Sequence, residues 1–430
     1  ALSNLLQVLF NMSDIAVVGR FAGSTALGAV GSTSIFVTLF TGFLIGLSNG
    51  INVLVARFYG ARHTDDVRRT VHSALVVSLI AGVVLLFVGL LGSPALLRLL
   101  NTKEDLLPGA ILYLRVYFLG MPALALYNFG NAIFSAIGDT KKPLYFLSIA
   151  GVLNILLNLF FVIVCKLDVV GVALASAISQ CVSAGLILHA LTQVQDCYAL
   201  HFREARLDPA MTRSILALGL PAGFQNAVFA IANLFIQAGV NSFDSLMVKG
   251  NSAAANADNL IYDCMAAFYM ACASFMSQNY GAGRIDRVKE GVKKATLITW
   301  GWSVIVIAAT WLFTPFFAHL ITGISDPEIV GTVEKYMKIN TAFYFILGIV
   351  IVFRNALQGV GDKITPIASS IIELLGKFAV AMILAPRMGY FGIMISEPLV
   401  WAGMAVMLGI GFAANKTFRK ENIPNTAEQM

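Results

Sequence analysis

Charged residues are scarce in this chain of 430 residues. They make up 12% of the sequence, whereas hydrophobic residues make up 58%. A soluble protein of ordinary composition carries roughly twice that charged fraction, about 25%. The mean hydropathy is +0.80, which excludes a typical soluble domain and predicts a polytopic membrane protein whose surroundings include membrane lipid.

Cysteine and enzyme motifs are also sparse. The chain has five cysteines, none in a CxxC pair, which predicts small packing residues rather than a disulfide framework or a metal site. It lacks a P-loop and an HExxH motif, so we predict neither an enzyme nor an organic cofactor. The basic residues behind the net charge of +6 are spread over short loops without interleaved aromatics, so nucleic acid is not a predicted partner.

Long apolar runs, by contrast, recur along the whole chain. A helix needs about 20 apolar residues to cross a bilayer, and solid apolar blocks favour helices over strands, which would alternate with period two. We therefore predict an all-α polytopic membrane protein with about twelve transmembrane helices. The predicted spans are roughly residues 1–19, 25–57, 71–98, 106–135, 143–165, 170–193, 213–240, 249–278, 292–318, 329–357, 364–385 and 389–413.

The loops between these spans differ in charge. Those after the even-numbered spans, together with the C-terminal tail, are rich in Lys and Arg, with Arg62, Lys141 and Arg284 among them. The opposite loops hold few basic residues, such as Lys103 and Lys166. Basic loops remain on the cytoplasmic side of a membrane, so both termini are predicted to be cytoplasmic.

Two sequence motifs occur twice. Tyr59-Gly60-Ala61 recurs as Tyr280-Gly281-Ala282 at an offset of 221, and Gly138-Asp139 recurs as Gly361-Asp362 at an offset of 223. Six spans per copy is an even number, so the two bundles are parallel repeats. The predicted domains are an N-lobe at 1–194, a cytoplasmic linker at 195–212, a C-lobe at 213–414 and a cytoplasmic tail at 415–430.

A similar offset, 222, pairs Asn4 with Asn226 and bears on where the first helix starts. In this register the first helix of the second copy starts at a position equivalent to one before Ala1. We therefore expect the first helix of a longer natural chain to begin upstream of Ala1.

Asp14 is the sharpest functional candidate, because it lies within the first predicted span. A carboxylate near the middle of a bilayer costs about 2.5–3.5 kcal/mol, so it must face an interior or a wet cavity. A group placed there can take up and release a proton or bind a cation. The alternative is a carboxylate at the outer mouth that pairs with Arg20.

Asn154, Asn158 and Ser176 form the second candidate group. The two amides are one helical turn apart in the fifth predicted span, and the hydroxyl lies in the sixth. They offer oxygen ligands and N–H donors toward the bundle interior. The alternative is that they only hold helices together, at about 0.6 kcal/mol for each hydrogen bond.

The second copy carries its polar residues at different positions. Glu373 and Lys377 are spaced i,i+4, and we favour a structural ion pair over direct contact with a substrate. The full set proposed as a C-lobe polar or substrate site is Gln225, Asn226, Asn233, Asp258, Asp263, Glu373 and Lys377.

The motifs taken together resemble those of multidrug and toxic compound extrusion (MATE) transporters. They are residues 11–14 (Asn-Met-Ser-Asp), 18–20 (Val-Gly-Arg), 138–140 (Gly-Asp-Thr), 171–176 (Gly-Val-Ala-Leu-Ala-Ser) and 278–283 (Gln-Asn-Tyr-Gly-Ala-Gly). The resemblance covers essentially the whole chain. It implies two six-helix lobes arranged in a V, and exchange of lipophilic, often cationic compounds for incoming H⁺ or Na⁺.

The resemblance also implies roles for individual residues. Asp14, Asn154 and Ser176 fall on the family's N-lobe cation site, and Asn158 falls where many relatives carry a second aspartate. These four residues form the predicted site for proton coupling or for Na⁺. With one carboxylate instead of two, the chain departs from the two-acid network of those relatives.

We therefore predict an antiporter of the MATE type in the inner membrane of a bacterium. It would export lipophilic, cationic small molecules in exchange for H⁺ or Na⁺, with the coupling ion in place of a cofactor, and a monomer would suffice. A flippase for a lipid-linked precursor is the main alternative. A membrane-embedded enzyme and a non-transporting receptor are more remote ones.

Overall fold

The structure is a computed structural model. It describes residues 17, 21, 23–99, 102–240, 242–243, 247, 251, 254–255, 258, 261, 271–322 and 327–419. Throughout this part of the chain the regular structure is helical and no strand occurs, which confirms the predicted all-α class.

The chain divides into two compact units, Ala1–Ala230 and Ile231–Met430, here called unit 1 and unit 2. The predicted lobe boundaries at 194 and 213 remain a prediction. The helices of the first half are α1 Gly23–Gly60, α2 Thr64–Leu99, α3 Leu107–Phe118, α4 Met121–Ile137, α5 Lys141–Leu159, α6 Asp168–Thr192 and α7 Pro209–Val240. A π-helical segment, Phe160–Val164, follows α5, and a 3₁₀ turn, Phe202–Glu204, precedes α7.

In the second half, residues 271–281 are helical. They are followed by α8 Ile285–Thr322, α9 Pro327–Ala342, α10 Tyr344–Gly359, α11 Ile364–Ala379, α12 Ala385–Met388, α13 Tyr390–Met394, α14 Ser396–Ala414 and α15 Lys416–Arg419. A second π-helical segment, Val380–Leu384, follows α11.

Within the described residues, eight helices are long and apolar enough to cross a membrane, and two bent helix pairs raise the number to ten. These ten coincide with ten of the twelve predicted spans. The other two predicted spans, 1–19 and 249–278, fall largely outside the described part of the chain. Large apolar side chains such as Leu91, 78% exposed, lie on the outer surface, as expected for a protein whose solvent is lipid.

The internal repeat is visible in the backbone of each unit. α3 and α4 meet at a bend of 46°, and the α9–α10 pair bends by 51°. Gly138 and Gly361, which are equivalent at the offset of 223, both adopt a left-handed conformation, with φ of 92° and 89°. Glycine takes this conformation without steric cost, which explains why the same turn uses it in both copies.

Small residues bring α1 and α7 into close contact within unit 1. A Cβ atom added to Gly46 would lie 2.4 Å from the carbonyl oxygen of Ala222, and one added to Gly50 would lie 2.4 Å from the backbone nitrogen of Gly219. Close approach of backbones at small residues is a usual way for helices to pack in a membrane.

Each unit has its own apolar core. In unit 1, Phe118 and Phe134 are fully buried, and in unit 2 the buried side chains include Tyr344 and Met404. The polar residues described below lie among these helices.

Candidate functional site

Asn154, Asn158 and Ser176 form one hydrogen-bonded chain in unit 1. The amide nitrogen of Asn158 donates to the side-chain oxygen of Asn154 at 3.1 Å, and the amide nitrogen of Asn154 donates to the hydroxyl of Ser176 at 3.3 Å. All three residues are buried, and Asn158 is 0% exposed. The structure thus brings together the three described members of the predicted coupling site, whose role stays a prediction.

Close helix packing positions this chain. α5 and α6 are joined through the π-helical segment and a short turn, and Gly171 at the start of α6 contacts the preceding segment. A Cβ atom at Gly171 would lie 2.9 Å from the Cβ of Phe161. Gly171 therefore lets the start of α6 pack closely against the segment that follows α5.

Asp14 and Asp263 lie outside the described residues. The predicted acid of the unit 1 site is therefore a prediction from the sequence alone. Neutral amides and hydroxyls bind and orient ions, but they do not titrate at physiological pH.

A buried lysine lies at the centre of the polar residues in unit 2. Lys377 on α11 is 0% exposed. Its Nζ atom is 2.8 Å from Oε1 of Glu397 on α14, 3.4 Å from Oε1 of Glu373 on α11, and 2.7 Å from Oδ1 of Asn233 on α7. The ion pair expected between Glu373 and Lys377 is present, but Glu397 is the closer carboxylate. We call these four residues the Lys377 cluster.

Further ionisable groups surround the Lys377 cluster. On α10, Nη2 of Arg354 is 3.9 Å from Oε2 of Glu373 and donates to the Ser369 hydroxyl at 3.0 Å. The Tyr344 hydroxyl donates to the carboxylate of Asp258, which interacts electrostatically with both Glu397 and Lys377. Among the described residues, three carboxylates thus accompany two cationic side chains.

Two other predicted C-lobe residues lie earlier on the helix that carries Asn233. Gln225 and Asn226, on the N-terminal part of α7, belong to unit 1. Gln225 is buried, and the Asn226 amide donates to the carbonyl oxygen of Gly42 at 2.9 Å. Asn233, Glu373 and Lys377 come together in unit 2, with Asp258 beside them. Because Asp263 lies outside the described residues, the grouping of all seven stays a prediction.

The sequence analysis did not place Glu397, Arg354 or Tyr344 beside Lys377. The internal repeat could have indicated the first two, because they correspond to polar positions of the first copy. At the offset of 223 Lys377 is equivalent to Asn154, and Arg354 is equivalent to Asn131. The Gly171–Ser176 motif aligns with Gly392–Glu397 at the offset of 221, which pairs Glu397 with Ser176. Polar positions of the first copy thus correspond to charged positions of the second.

A sequence motif in α1 has no enzymatic setting. Residues Gly46 to Gly50 fit the GxSxG pattern of serine hydrolases. That pattern acts at a sharp strand-to-helix turn, whereas here it lies inside a long helix, with its glycines against α7. Among the described residues, no group of three His, Cys, Asp or Glu side chains could hold a metal ion.

The segment between α6 and α7 is attached to the start of α2. Arg68 forms a two-pronged ion pair with Glu204, and Arg69 donates to Oδ2 of Asp208 at 2.7 and 2.9 Å. These hydrogen bonds hold the pKa of Glu204 and of Asp208 below their usual range. The buried ring of His72 contributes as well, since its Nε2 accepts the backbone N–H of His201 at 3.1 Å.

Comparison with known proteins relates most of the chain to one protein family. The MatE family model matches residues 1–160 and 221–383. The probable multidrug resistance protein YpnP of Bacillus subtilis is 30% identical over 378 residues, which is 86% of this chain and 83% of the relative. An FAD transporter of Shewanella oneidensis is 24% identical over 93% of this chain and 90% of its own length.

Solved structures agree with this fold. A MOP superfamily transporter from Pyrococcus furiosus matches with a TM-score of 0.88 at 23% identity, over 95% of this chain and 92% of that one. A MATE structure in complex with MaL6 matches with a TM-score of 0.87 at 23% identity, over 96% and 92% of the two chains. The predicted membrane-protein fold is therefore confirmed.

Proposed function

The chain belongs to the MatE family of membrane transporters, and on that premise we propose that it is a secondary antiporter. It exports lipophilic, cationic small molecules in exchange for H⁺ or Na⁺. The relatives named as multidrug resistance proteins support the export of drugs. They also support a transporter rather than an enzyme.

The observation that carries the proposal is the buried chain Asn158–Asn154–Ser176. It lies at positions that resemble the cation site of the family, and hydrogen bonds connect its members across two helices. In the proposal, Asp14 supplies the charge that changes, and the three neutral residues orient it. Uptake of an ion at this group would alter helix packing in unit 1 and favour release of the exported compound.

The available energy is sufficient for drug export. One elementary charge that moves through 100 mV releases about 2.3 kcal/mol. Since a tenfold concentration ratio corresponds to about 1.4 kcal/mol, one such charge sustains a gradient of roughly 40-fold.

The test is efflux of a fluorescent cationic dye from proteoliposomes, driven in separate experiments by a pH gradient and by a Na⁺ gradient. We expect one gradient to drive efflux in the parent protein and Asp14→Asn to abolish that efflux. Asp105→Asn is the matched control, because Asp105 is an exposed carboxylate between helices, and it should transport like the parent. Unchanged gradient-driven efflux in Asp14→Asn would refute the assignment.

A second cargo is suggested by the FAD transporter among the relatives. Efflux of FAD from the same vesicles tests it directly. If neither gradient moves the dye but FAD is transported, the cargo is a dinucleotide. If neither compound moves, a lipid-linked precursor is the next cargo to assay.

A further inference from the structure

We propose that unit 2 contains a monovalent-cation site whose permanent occupant is the ammonium group of Lys377. Its ligands are the carboxylates of Glu373 and Glu397 and the amide oxygen of Asn233. They come from three helices and lie 2.7–3.4 Å from the Nζ atom. Carboxylate and amide oxygens around a small cation are the ligands that bound Na⁺ and ammonium ions share.

The burial of Lys377 explains why its ammonium group needs compensating charges. The residue is 0% exposed, and a charged ammonium is stable in such surroundings only when opposite charges compensate it. Glu397 is the closer of its two described carboxylate partners, and Glu373 is shared with Arg354 at 3.9 Å. Without the lysine, Glu373 and Glu397, with Asp258 nearby, would face one guanidinium among the described residues, that of Arg354. The vacated space would then favour entry of a cation.

In the sequence repeat, this site corresponds to a neutral group of the other copy. Lys377 is equivalent to Asn154, and Glu397 is equivalent to Ser176. Both pairs are in contact, at 2.8 Å in unit 2 and at 3.3 Å in unit 1. A π-helical segment follows each of the two helices, at Phe160–Val164 and at Val380–Leu384. The same location therefore has hydrogen-bonding neutral groups in one copy and a tethered cation in the other.

The consequence is an asymmetric exchanger. Because Lys377 cannot leave, unit 2 holds its cation through the whole transport cycle, and ion exchange is confined to unit 1. This step rests on the proposed function, which assigns the exchanged ion to unit 1. Occupancy of the unit 2 site by Lys377 is tested independently of it.

The test vacates the proposed cation site by replacing Lys377 with a shorter residue. Lys377→Ala removes both the charge and most of the side chain, whereas Lys377→Met removes the charge and fills the same space. Both variants are made in the full chain with Asp14→Asn, so that the unit 1 acid is absent. The readouts are binding of ²²Na⁺ and the melting temperature in detergent, in NaCl, methylammonium chloride or choline chloride.

We expect Lys377→Ala to bind close to one Na⁺ per chain. Its melting temperature should rise by several degrees and reach a plateau with added Na⁺ or methylammonium, but not with choline, which is too large. The background protein and Lys377→Met should show neither effect. Adding Glu397→Gln to Lys377→Ala should weaken Na⁺ binding at least tenfold, because it removes a charged ligand.

Two results would overturn the proposal. One is a Lys377→Ala protein that binds no more Na⁺ than Lys377→Met. The other is a Lys377→Ala protein that fails to fold in every salt while Lys377→Met folds, since an opened cation site must be rescued by a small cation. Failure of the dye-efflux test would leave this binding result unaffected, so the two proposals are separately refutable.

Discussion

Removing Lys377 alone should destabilise unit 2 far more than removing Lys377 together with Glu397. Lys377→Met keeps an unbranched side chain of similar length and deletes the charge. Glu373 and Glu397 would then share the single guanidinium of Arg354. Breaking a buried ion pair costs about 3–5 kcal/mol. The Glu397 side chain is 17% exposed and keeps some solvation. We therefore expect the free energy of unfolding to fall by about 3 kcal/mol, near the lower end of that range.

The double variant Lys377→Met/Glu397→Gln removes both charges at once. The remaining amide is nearly the same size as the carboxylate, and Glu373 retains its ion pair with Arg354. Replacing both members of a buried pair is often close to neutral, so we expect a loss of about 1 kcal/mol. The two substitutions should therefore couple by about 2 kcal/mol or more in a double-mutant cycle.

The assay is reversible unfolding of the detergent-solubilised protein, compared among the parent, the two single variants and the double variant. Lys338→Met is the control, because Lys338 pairs with Glu334 at i,i+4 while its side chain is 38% exposed. Its loss should be within about 0.5 kcal/mol, as for other exposed pairs. If the double variant loses as much as the two single variants combined, the cluster is not a compensated charge pair and the reasoning is wrong.

Two further predictions concern unit 1. Gly50→Ala places a methyl group 2.4 Å from the backbone nitrogen of Gly219, so it should lower the free energy of unfolding by about 1–3 kcal/mol in the same assay. Gly31→Ala is the control and should be neutral, because nothing lies within 4 Å of the added Cβ. Equal effects of the two variants would refute the packing argument. The pKa values of Glu204 and Asp208 are lowered by their guanidinium partners, so their contribution to linker attachment is complete above the pKa of a free carboxyl and is lost as the pH falls through the lowered values. The backbone amides of the linker should therefore be less protected from hydrogen exchange in acid than at neutral pH, once the intrinsic pH dependence of exchange is corrected for. Equal protection at the two pH values would contradict this.

Much of the fold could be predicted from the sequence. Two helices start within two residues of the predicted positions: α5 starts at Lys141 and α6 at Asp168, whereas the predicted spans start at 143 and 170. This follows because every backbone polar group in a bilayer must be satisfied within its own helix, so an apolar run of sufficient length is a helix. Gly138 and Gly361 mark helix ends for an equally local reason, the left-handed turn that both adopt.

The unit 1 group was predictable for a related reason. Asn154 and Asn158 are one turn apart on one helix, so their proximity depends only on helical geometry. Their resemblance to a known site then singled out Ser176. The hydrogen bond between Asn154 and Ser176 depends in addition on how closely the two helices pack.

The sequence by itself determined the class of the protein, its helices and the repetition of its two halves, because those properties follow from hydropathy, turn chemistry and local register. Helical spacing also predicted the pair of Glu373 and Lys377, but only the tertiary structure decided which groups from other helices meet Lys377. Asn233 lies 144 positions before Lys377, and Glu397 comes from yet another helix. Helix rotation and packing bring these atoms within hydrogen-bonding distance, and the cost of a charge without a partner in an apolar interior makes that arrangement the stable one.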